Sequence, residues 1–153
     1  MIKGRKIMAI LKLSEQLYVS PQLTEQDAKN AAQLGIQTVI CNRPDGEEEN
    51  QPSTAQVQQW LSAEGITSFK HQPVVAPNIS AADVAAFQDL LQQADQPVLA
   101  YCRTGTRSSL LWAYHQVQNG MSVADAKAAA AEAGVDLSNF EARLQEAAEH
   151  KLA

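Results

Sequence analysis

The chain alternates short apolar runs, rich in β-branched residues, with longer segments rich in Ala, Gln and Leu. The short runs predict strands. The longer segments predict helices, because most of them begin with Ser or Thr followed three residues later by an acid or an amide. Such alternation is typical of an α/β domain with three layers, in which helices flank a mostly parallel sheet. The predicted strands are 17–20, 36–41, 66–75 and 97–102, a helix is predicted at 108–119, and the other helices are predicted to start at Thr24, Ser53, Ser80, Ser122 and Ser138.

Two of the predicted strands carry further signals. Residues 97–102 are almost entirely apolar, which is typical of a central strand buried on both faces. The run 66–75 contains Pro73, which cannot donate a hydrogen bond within a sheet and therefore favours an edge position. A chain of 153 residues without a linker rich in Gly, Ser or Pro predicts a single domain. In that domain we expect 1–12 to be an N-terminal extension and 120–153 to hold C-terminal helices.

Composition and charge exclude several classes of function. The net charge is −5 and Lys and Arg form no stripe, so we expect no nucleic-acid partner. The apolar run 7–11 is ended by Lys12, and no run approaches the roughly 18 apolar residues of a membrane span, so we expect a cytoplasmic protein without a membrane partner. The three His residues show no ligand spacing with Cys or acids, so neither a metal nor another cofactor is expected.

One segment carries the predicted chemistry. A buried strand delivers Cys102 to the carboxyl edge of the sheet, where open α/β sheets bind ligands. Gly105 permits a backbone conformation that lets successive amides point inward, and the next helix adds the positive end of its dipole. Arg107 supplies a planar fork of donors for an oxyanion. We therefore predict Cys102 and Arg107 as catalytic residues, and an anion-binding loop formed by Arg103, Thr104, Gly105, Thr106 and Ser108.

The predicted reactivity of Cys102 follows from this position. A cysteine at the start of a helix and beside an arginine loses its proton more readily than a free one, so we expect Cys102 to be a thiolate nucleophile at neutral pH. Ser108 either donates its hydroxyl to the sulfur or serves only as a first-turn residue of the helix. The alternative for Cys102 is a small buried residue that ends a core strand, which is where free cysteines usually lie.

The segment after the second predicted strand is expected at the same edge of the sheet. Arg43 either contributes to the anion pocket or pairs locally with Asp45, and we expect the local pair. Asp45 is a fallback acid for phosphate chemistry. Cys41 is either a second sulfur-carrying thiol or, as we expect, an inert core residue. The acidic run 47–49 predicts a solvated loop.

The segment 101–108, Tyr-Cys-Arg-Thr-Gly-Thr-Arg-Ser, resembles the active loop of rhodanese-type sulfurtransferases, in which the cysteine becomes a persulfide. Three segments in order, 17–24, 40–48 and 100–112, are similar to the bacterial beta-lactamase-hydrolase-like family. The phosphatase-like domain of that family stands alone or is fused to a metallo-hydrolase of persulfide metabolism. The resemblance covers 13–117 and implies a fold of the dual-specificity-phosphatase type.

The chain departs from the pattern of cysteine phosphatases in two ways. Those enzymes have five residues between Cys and Arg and usually a His before the Cys, whereas here only 103–106 intervene and Tyr101 precedes the cysteine. A shorter loop closes a tighter ring of amides, which suits a sulfur-sized group better than a tetrahedral phosphate. Phosphatases of this fold also carry an acid after the strand equivalent to 69–75, to protonate the leaving oxygen. Here no acid follows that strand before Asp83, which is assigned to a helix cap.

From these departures we expect a sulfurtransferase, in which the Cys102 thiolate takes sulfane sulfur from thiosulfate or a persulfide and passes it on. The alternative is a cysteine-dependent phosphatase that forms a thiophosphate on Cys102. A second alternative is a persulfide carrier without turnover. The expected partner is therefore a small anion, and specificity for it is expected to lie in the loops 43–52 and 75–80.

Overall fold

A computed structural model describes residues 9–152 of the chain. The described strands are β1 (Leu11–Ser14), β2 (Leu17–Ser20), β3 (Thr38–Cys41), β4 (Ser68–His71) and β5 (Val98–Tyr101). They form one sheet in the order β1-β2-β5-β3-β4, in which β1 pairs antiparallel with β2 and all other neighbours are parallel. The mostly parallel sheet is confirmed, and β4 lies at an edge as Pro73 indicates.

The predicted strands do not include β1. The segment Leu11–Ser14 alternates apolar and polar residues as a strand does, but it is only four residues long, it begins within the predicted N-terminal extension, and Leu13 is its one buried residue. It forms a strand by pairing with β2, in which Leu11 lies opposite Val19. The predicted N-terminal extension 1–12 overlaps β1 at Leu11 and Lys12. Residues 1–8 of this extension lie outside the described part of the chain.

The described helices are α1 (Glu25–Gln33), α2 (Thr54–Ala63), α3 (Ala81–Gln93), α4 (Thr106–Gln118), α5 (Val123–Glu132) and α6 (Glu141–Ala148). At the predicted starts Thr24, Ser53, Ser80 and Ser122, the side chain accepts a hydrogen bond from the amide three residues on, which confirms these caps. None of the helices in residues 9–152 is long and apolar enough to cross a membrane.

The predicted cap at Ser138 is wrong. Ser138 lies in a short 3-10 turn, Ser138–Phe140, and its amide donates a hydrogen bond to the Asp136 carboxylate at 2.9 Å. The helix α6 then begins at Glu141 without a side-chain cap. The chain between α5 and α6 is therefore a structured connection rather than a direct helix start.

The core has two parts, one on each face of the sheet. Val98 and Ala100 of β5 pack into the part covered by α3, α4, α5 and α6, whereas Leu99 and Tyr101 pack into the part covered by α1 and α2. All four side chains are buried, which confirms that β5 is a central strand enclosed on both faces.

The topology brings two strand ends together at one edge. Strands β3 and β5 are parallel neighbours with Cys41 opposite Tyr101, and the amide of Asn42 donates to the carbonyl of Tyr101 at 2.7 Å. The segments that follow both strands therefore lie side by side at the carboxyl edge of the sheet. Parallel α/β sheets bind their ligands at this edge.

Candidate active site

The loop after β5 is built around the sulfur of Cys102. The residue is fully buried, and its Sγ accepts a hydrogen bond from the amide of Gly105 at 3.2 Å. Gly105 has φ +91° and precedes α4, which begins at Thr106, two residues earlier than the predicted 108. The first turn of the helix thus lies within the loop itself, and its free amides add positive potential near the sulfur.

Gly105 is required by packing as well as by its backbone angle. A Cβ atom at this position would lie 3.3 Å from Cγ2 of Val135 and 3.6 Å from the carbonyl oxygen of Ser20. Val135 belongs to the connection between α5 and α6, so this connection packs directly against the cysteine loop.

Arg107 is held from two sides and is only 11% exposed. Its Nη1 donates to Glu47 Oε2 at 2.7 Å and to the Val74 carbonyl at 3.0 Å, and its Nη2 donates to Glu47 Oε1 at 2.9 Å. A guanidinium has five N–H donors, so the Nε–H and one Nη2–H remain for a further acceptor. Hydrogen bonds to the Glu47 carboxylate, followed by the charge of Cys102, raise the pKa of Arg107.

Arg43 is buried and pairs with residues other than the predicted Asp45. Its side chain is 2% exposed, and it donates to Glu47 at 2.8 Å, to Glu48 at 2.7 Å and to the Gln22 side chain at 2.8 Å. The expected local pair is therefore wrong. A buried guanidinium needs compensating anions, and the loop supplies two of them.

Asp45 instead holds the start of α2. Its two carboxylate oxygens accept hydrogen bonds from the amide and the hydroxyl of Thr54, each at 2.9 Å. Two bonds of this kind make Asp45 a capping residue of α2. Asp45, the fallback acid for phosphate chemistry, therefore bonds to Thr54 and not to Arg107.

Glu47 and Glu48, which we call the acidic bridge, connect the arginines of the site. Glu47 joins Arg43 to Arg107, and Glu48 joins Arg43 to the 59% exposed Arg103, whose Nη2 lies 3.3 Å from Glu48 Oε2. Chiefly through Arg107, these contacts lower the pKa of Glu47 to about 2. The loop is exposed as predicted, but both glutamates are paired with arginines, which the sequence did not indicate.

We expect Glu47→Gln to destabilise the fold in a manner that depends on pH. The folded Glu47 carboxyl titrates near pH 2 against an ordinary value of 4.5, so its ion pairs stabilise the protein above about pH 4.5, and this contribution is lost as the pH falls toward 2. After allowance for solvent screening, the free energy of unfolding should fall by about 1–2 kcal/mol at pH 7. At pH 2 the variant and the wild type should be equal. Urea unfolding at both pH values measures this.

Glu48→Gln is the matched control for that measurement. Glu48 pairs with Arg43 and Arg103 but not with Arg107, and its side chain is half exposed. An exposed pair contributes at most about 1 kcal/mol. A loss in this control equal to that of Glu47→Gln, or a deficit of Glu47→Gln that persists at pH 2, would contradict the assignment.

The hydroxyl groups of the loop bond to one another or to the neighbouring segment. The buried Ser108 hydroxyl donates to Asn42 Oδ1 at 2.8 Å, so in this structure it does not donate to Cys102. This bond joins the start of α4 to the segment after β3. The hydroxyls of Thr104 and Thr106 lie 3.0 Å apart at the exposed side of the loop.

Cys41 lies beside Tyr101 rather than beside the loop cysteine. Its thiol donates to the Arg43 carbonyl at 3.3 Å and accepts from the Arg43 amide at 3.4 Å. Burial raises the pKa of this thiol, which opposes the charged form that a nucleophile needs. Both Cys41 and Cys102 are free thiols. These observations support the prediction of an inert core residue at Cys41.

An open cleft of about 580 Å³ lies over the loop. The predicted loops 43–52 and 75–80 both contribute to it. The connection between α5 and α6 is a third contributor, which sequence reasoning missed because nothing in its residues relates it to the cysteine loop. No described group of three or more His, Cys, Asp or Glu could hold a metal ion. The lining consists of Glu47, Glu48, Val75, Ala76, Pro77, Arg103, Thr104, Thr106, Arg107, Asp136, Asn139 and Phe140.

The arrangement matches a known family of domains. Residues 10–120 match the family model described as beta-lactamase hydrolase-like protein, phosphatase-like domain. The chain belongs to this family. The beta-lactamase hydrolase-like protein of Xylella fastidiosa (strain Temecula1) is 34% identical over 113 residues, which are 74% of this chain and 26% of the relative. The match thus spans about a quarter of the length of that curated relative.

Solved structures agree with this assignment. A candidate phosphatase from Neisseria meningitidis Z2491 is 57% identical, with a TM-score of 0.90, and the match covers 92% of this chain and 99% of that chain. Pseudomonas aeruginosa TpbA, solved in complex with pTyr, is 18% identical with a TM-score of 0.69, and 94% of this chain and 90% of that chain are covered, which establishes likeness of fold alone.

These comparisons confirm the predicted family and the cysteine-phosphatase type of fold. The chain is a member of a phosphatase-like hydrolase family, as the enzyme prediction allows. For the reaction itself, the findings favour the phosphatase alternative over the sulfur transfer that the sequence placed first. They lend no specific support to a rhodanese-type activity.

Proposed function

We propose that this domain hydrolyses phosphate monoesters through a covalent thiophosphate on Cys102. One observation carries the proposal: the buried Cys102 accepts a hydrogen bond from the Gly105 amide at the N-terminus of α4, whose first turn holds Arg107, in a chain of the phosphatase-like family. Amide and guanidinium donors beside a nucleophile stabilise both a thiolate and the oxyanions of a phosphoryl group in transfer.

The proposed reaction has two displacement steps. In the first, the Cys102 sulfur attacks phosphorus, the S–P bond forms, the P–O bond to the leaving group breaks, and the leaving oxygen takes the electron pair. In the second, water attacks phosphorus, the S–P bond breaks, the Cys102 thiolate leaves with the electron pair, and both protons of the water stay with the released phosphate as H2PO4−. The free Nε–H and Nη2–H of Arg107 are the donors proposed to bind the transferring group.

Protonation of the leaving oxygen limits the range of substrates. Of the cleft carboxylates, Glu47 and Glu48 are bonded to arginines, and Asp136 accepts from Ser138, whose hydrogen bonds lower the pKa of Asp136. Glu47 and Asp136 are therefore poor acids at neutral pH, and Glu48 is held by Arg43 and Arg103. Esters whose leaving group departs without a proton, such as aryl phosphates, are the substrates we expect.

Sulfur transfer is the second candidate because only 103–106 separate the cysteine from Arg107. In that reaction the Cys102 sulfur attacks the outer sulfur of thiosulfate, a new S–S bond forms, and sulfite leaves with the electron pair of the broken bond. An acceptor thiol or cyanide then removes the outer sulfur and restores the thiolate. Neither step needs a general acid. A carrier would stop at the persulfide.

The test compares the two reactions on the same wild-type protein. Hydrolysis of p-nitrophenyl phosphate is measured by product release, and transfer from thiosulfate by intact mass and by thiocyanate formation with cyanide. The proposal expects ester turnover and, after thiosulfate, an unchanged mass. A gain of one sulfur with thiocyanate turnover and no ester hydrolysis would establish the sulfurtransferase instead, and the same gain without turnover would establish the carrier.

A further inference from the structure

We propose that the cleft selects esters that carry one anionic phosphate on an uncharged aromatic body and rejects polyanions such as inositol polyphosphates. This substrate class rests on the proposed phosphatase function, and it follows from the charge balance of the cleft and from its apolar wall.

The charges of the cleft are balanced before any substrate binds. Three carboxylates line it, those of Glu47, Glu48 and Asp136, against the guanidinium groups of Arg103 and Arg107. The buried Arg43 behind the acidic bridge brings the sum of these side chains to zero, and the Cys102 thiolate expected in the wild type adds one negative charge. A site for a polyanion needs a surplus of positive charge, because each added phosphate must find its own counter-charge. This cleft has no such surplus.

The donors that remain free suffice for one anionic group. Arg107 keeps an Nε–H and one Nη2–H, and it lies in the first turn of α4, two residues after Gly105, whose amide bonds to the thiol. Arg103 at the rim is already paired with Glu48. A second phosphate on the same substrate would meet the rim carboxylates of Glu48 and Asp136, and like charges at close range repel.

The opposite part of the cleft offers an apolar surface. Val75 is 50% exposed, although large apolar side chains are otherwise mostly buried in the described part of the chain. Ala76, Pro77 and the half-buried Phe140 continue this surface within the same cleft. Apolar walls with a few placed polar groups are typical of sites for small organic ligands.

Both sides of the apolar wall are fixed in place. The Val74 carbonyl accepts from Arg107, and the Ile79 carbonyl accepts from Arg143 of α6, so the segment between them is tied to the cysteine loop and to the C-terminal helix. Phe140 immediately precedes α6. The wall is therefore in position beside the anion site before a substrate arrives, and ordering it costs little binding energy.

Binding to the unreactive Cys102→Ser variant tests this selectivity without turnover. Isothermal titration calorimetry with phenyl phosphate, inorganic phosphate and myo-inositol hexakisphosphate gives the three affinities. We expect phenyl phosphate to bind about tenfold more tightly than inorganic phosphate, since half a buried ring is worth that much. The hexakisphosphate should bind no more tightly than inorganic phosphate. Tighter binding of the hexakisphosphate, or equal binding of phenyl and inorganic phosphate, overturns the proposal.

Two further variants and one control test whether the apolar wall and a cleft carboxylate cause this selectivity. Phe140→Ala should weaken the binding of phenyl phosphate about fivefold and leave the binding of inorganic phosphate unchanged. Asp136→Asn, which keeps an acceptor for Ser138, should strengthen the binding of the hexakisphosphate at low salt. Glu132→Gln makes the same charge change at an exposed position of α5 outside the cleft and should not strengthen it. Equal effects of the two charge changes would overturn the assignment to the cleft.

This binding test and the turnover test fail separately. Loss of ester hydrolysis in wild type with the expected order of affinities would overturn the phosphatase and leave the selectivity standing. If Cys102→Ser does not fold, the same three titrations are made on Cys102→Ala, with the same two overturning outcomes.

Discussion

Replacing Cys102 with serine is expected to lower the turnover of p-nitrophenyl phosphate about 10⁴-fold or more, because loss of the nucleophile removes the covalent route altogether. A serine hydroxyl keeps the volume and the hydrogen bond from Gly105 but remains protonated at neutral pH, and no described base bonds to it. Binding of inorganic phosphate should survive. Initial rates measure the loss of turnover, and the rise of the melting temperature on addition of phosphate measures the binding that remains.

Cys41→Ser is the control for this substitution. It makes the same chemical change at the other free thiol, which bonds to the Arg43 backbone outside the cysteine loop. We expect its activity to stay within about threefold of wild type, since its cost is one of packing and stability. Comparable losses of activity in both variants, at equal melting temperatures, would show that Cys102 is not the nucleophile.

Arg107→Lys should produce the second largest loss, about 10²–10³-fold in kcat, the usual effect of removing a donor that stabilises charge in the transition state. A lysine ammonium cannot bond to both Glu47 oxygens and the Val74 carbonyl while it also presents two parallel donors to phosphate. Because the charge is kept, KM should change far less than kcat. Steady-state kinetics with p-nitrophenyl phosphate separate the two constants.

Arg103→Lys provides the comparison within the same loop. Arg103 is 59% exposed and makes one long ion pair with Glu48. Its replacement should alter kcat/KM by less than about fivefold, in line with an exposed pair. A loss as large as that of Arg107→Lys would mean that the rim arginine binds the transferring group and that Arg107 serves the fold.

The acidic bridge explains how a buried cluster of arginines is tolerated beside the thiol. Arg43 is almost completely enclosed, and an enclosed cation is stable only with anions bonded to it. Glu47 supplies one of them and at the same time holds Arg107 through two hydrogen bonds. The same bridge removes the surplus positive charge from the cleft, so the stability of the site and its selectivity among anions have one origin.

Local features of this chain were predictable from the sequence. The helix caps at Thr24 and Ser80 depend on residues three positions apart, and β5 is recognised by its own apolar composition. The cysteine loop is also contiguous, so a strand, a glycine and a helix start within 98–107 suffice to place Cys102 near Gly105 and Arg107. In such cases the physical cause lies within one turn or one strand of the chain.

The partners of the loop could not be predicted, because they come from distant segments. Glu47 meets Arg107 across 60 positions of sequence, and the contact depends on β3 and β5 being neighbours in the sheet. The acidic residues after Arg43 predict a solvated loop. Their pairing with Arg43 follows only once the burial of that arginine is known. The Asp136 connection enters the cleft only because Val135 packs on Gly105.

Contiguous residues and their order therefore indicate the class of fold, the family and the candidate nucleophile. The three-dimensional structure was needed to show which carboxylates hold the arginines, that Cys41 bonds to the Arg43 backbone, and that the C-terminal connection lines the cleft. Those outcomes depend on burial and on long-range pairing, and the energy of an ion pair or an apolar contact is set by what surrounds it after folding.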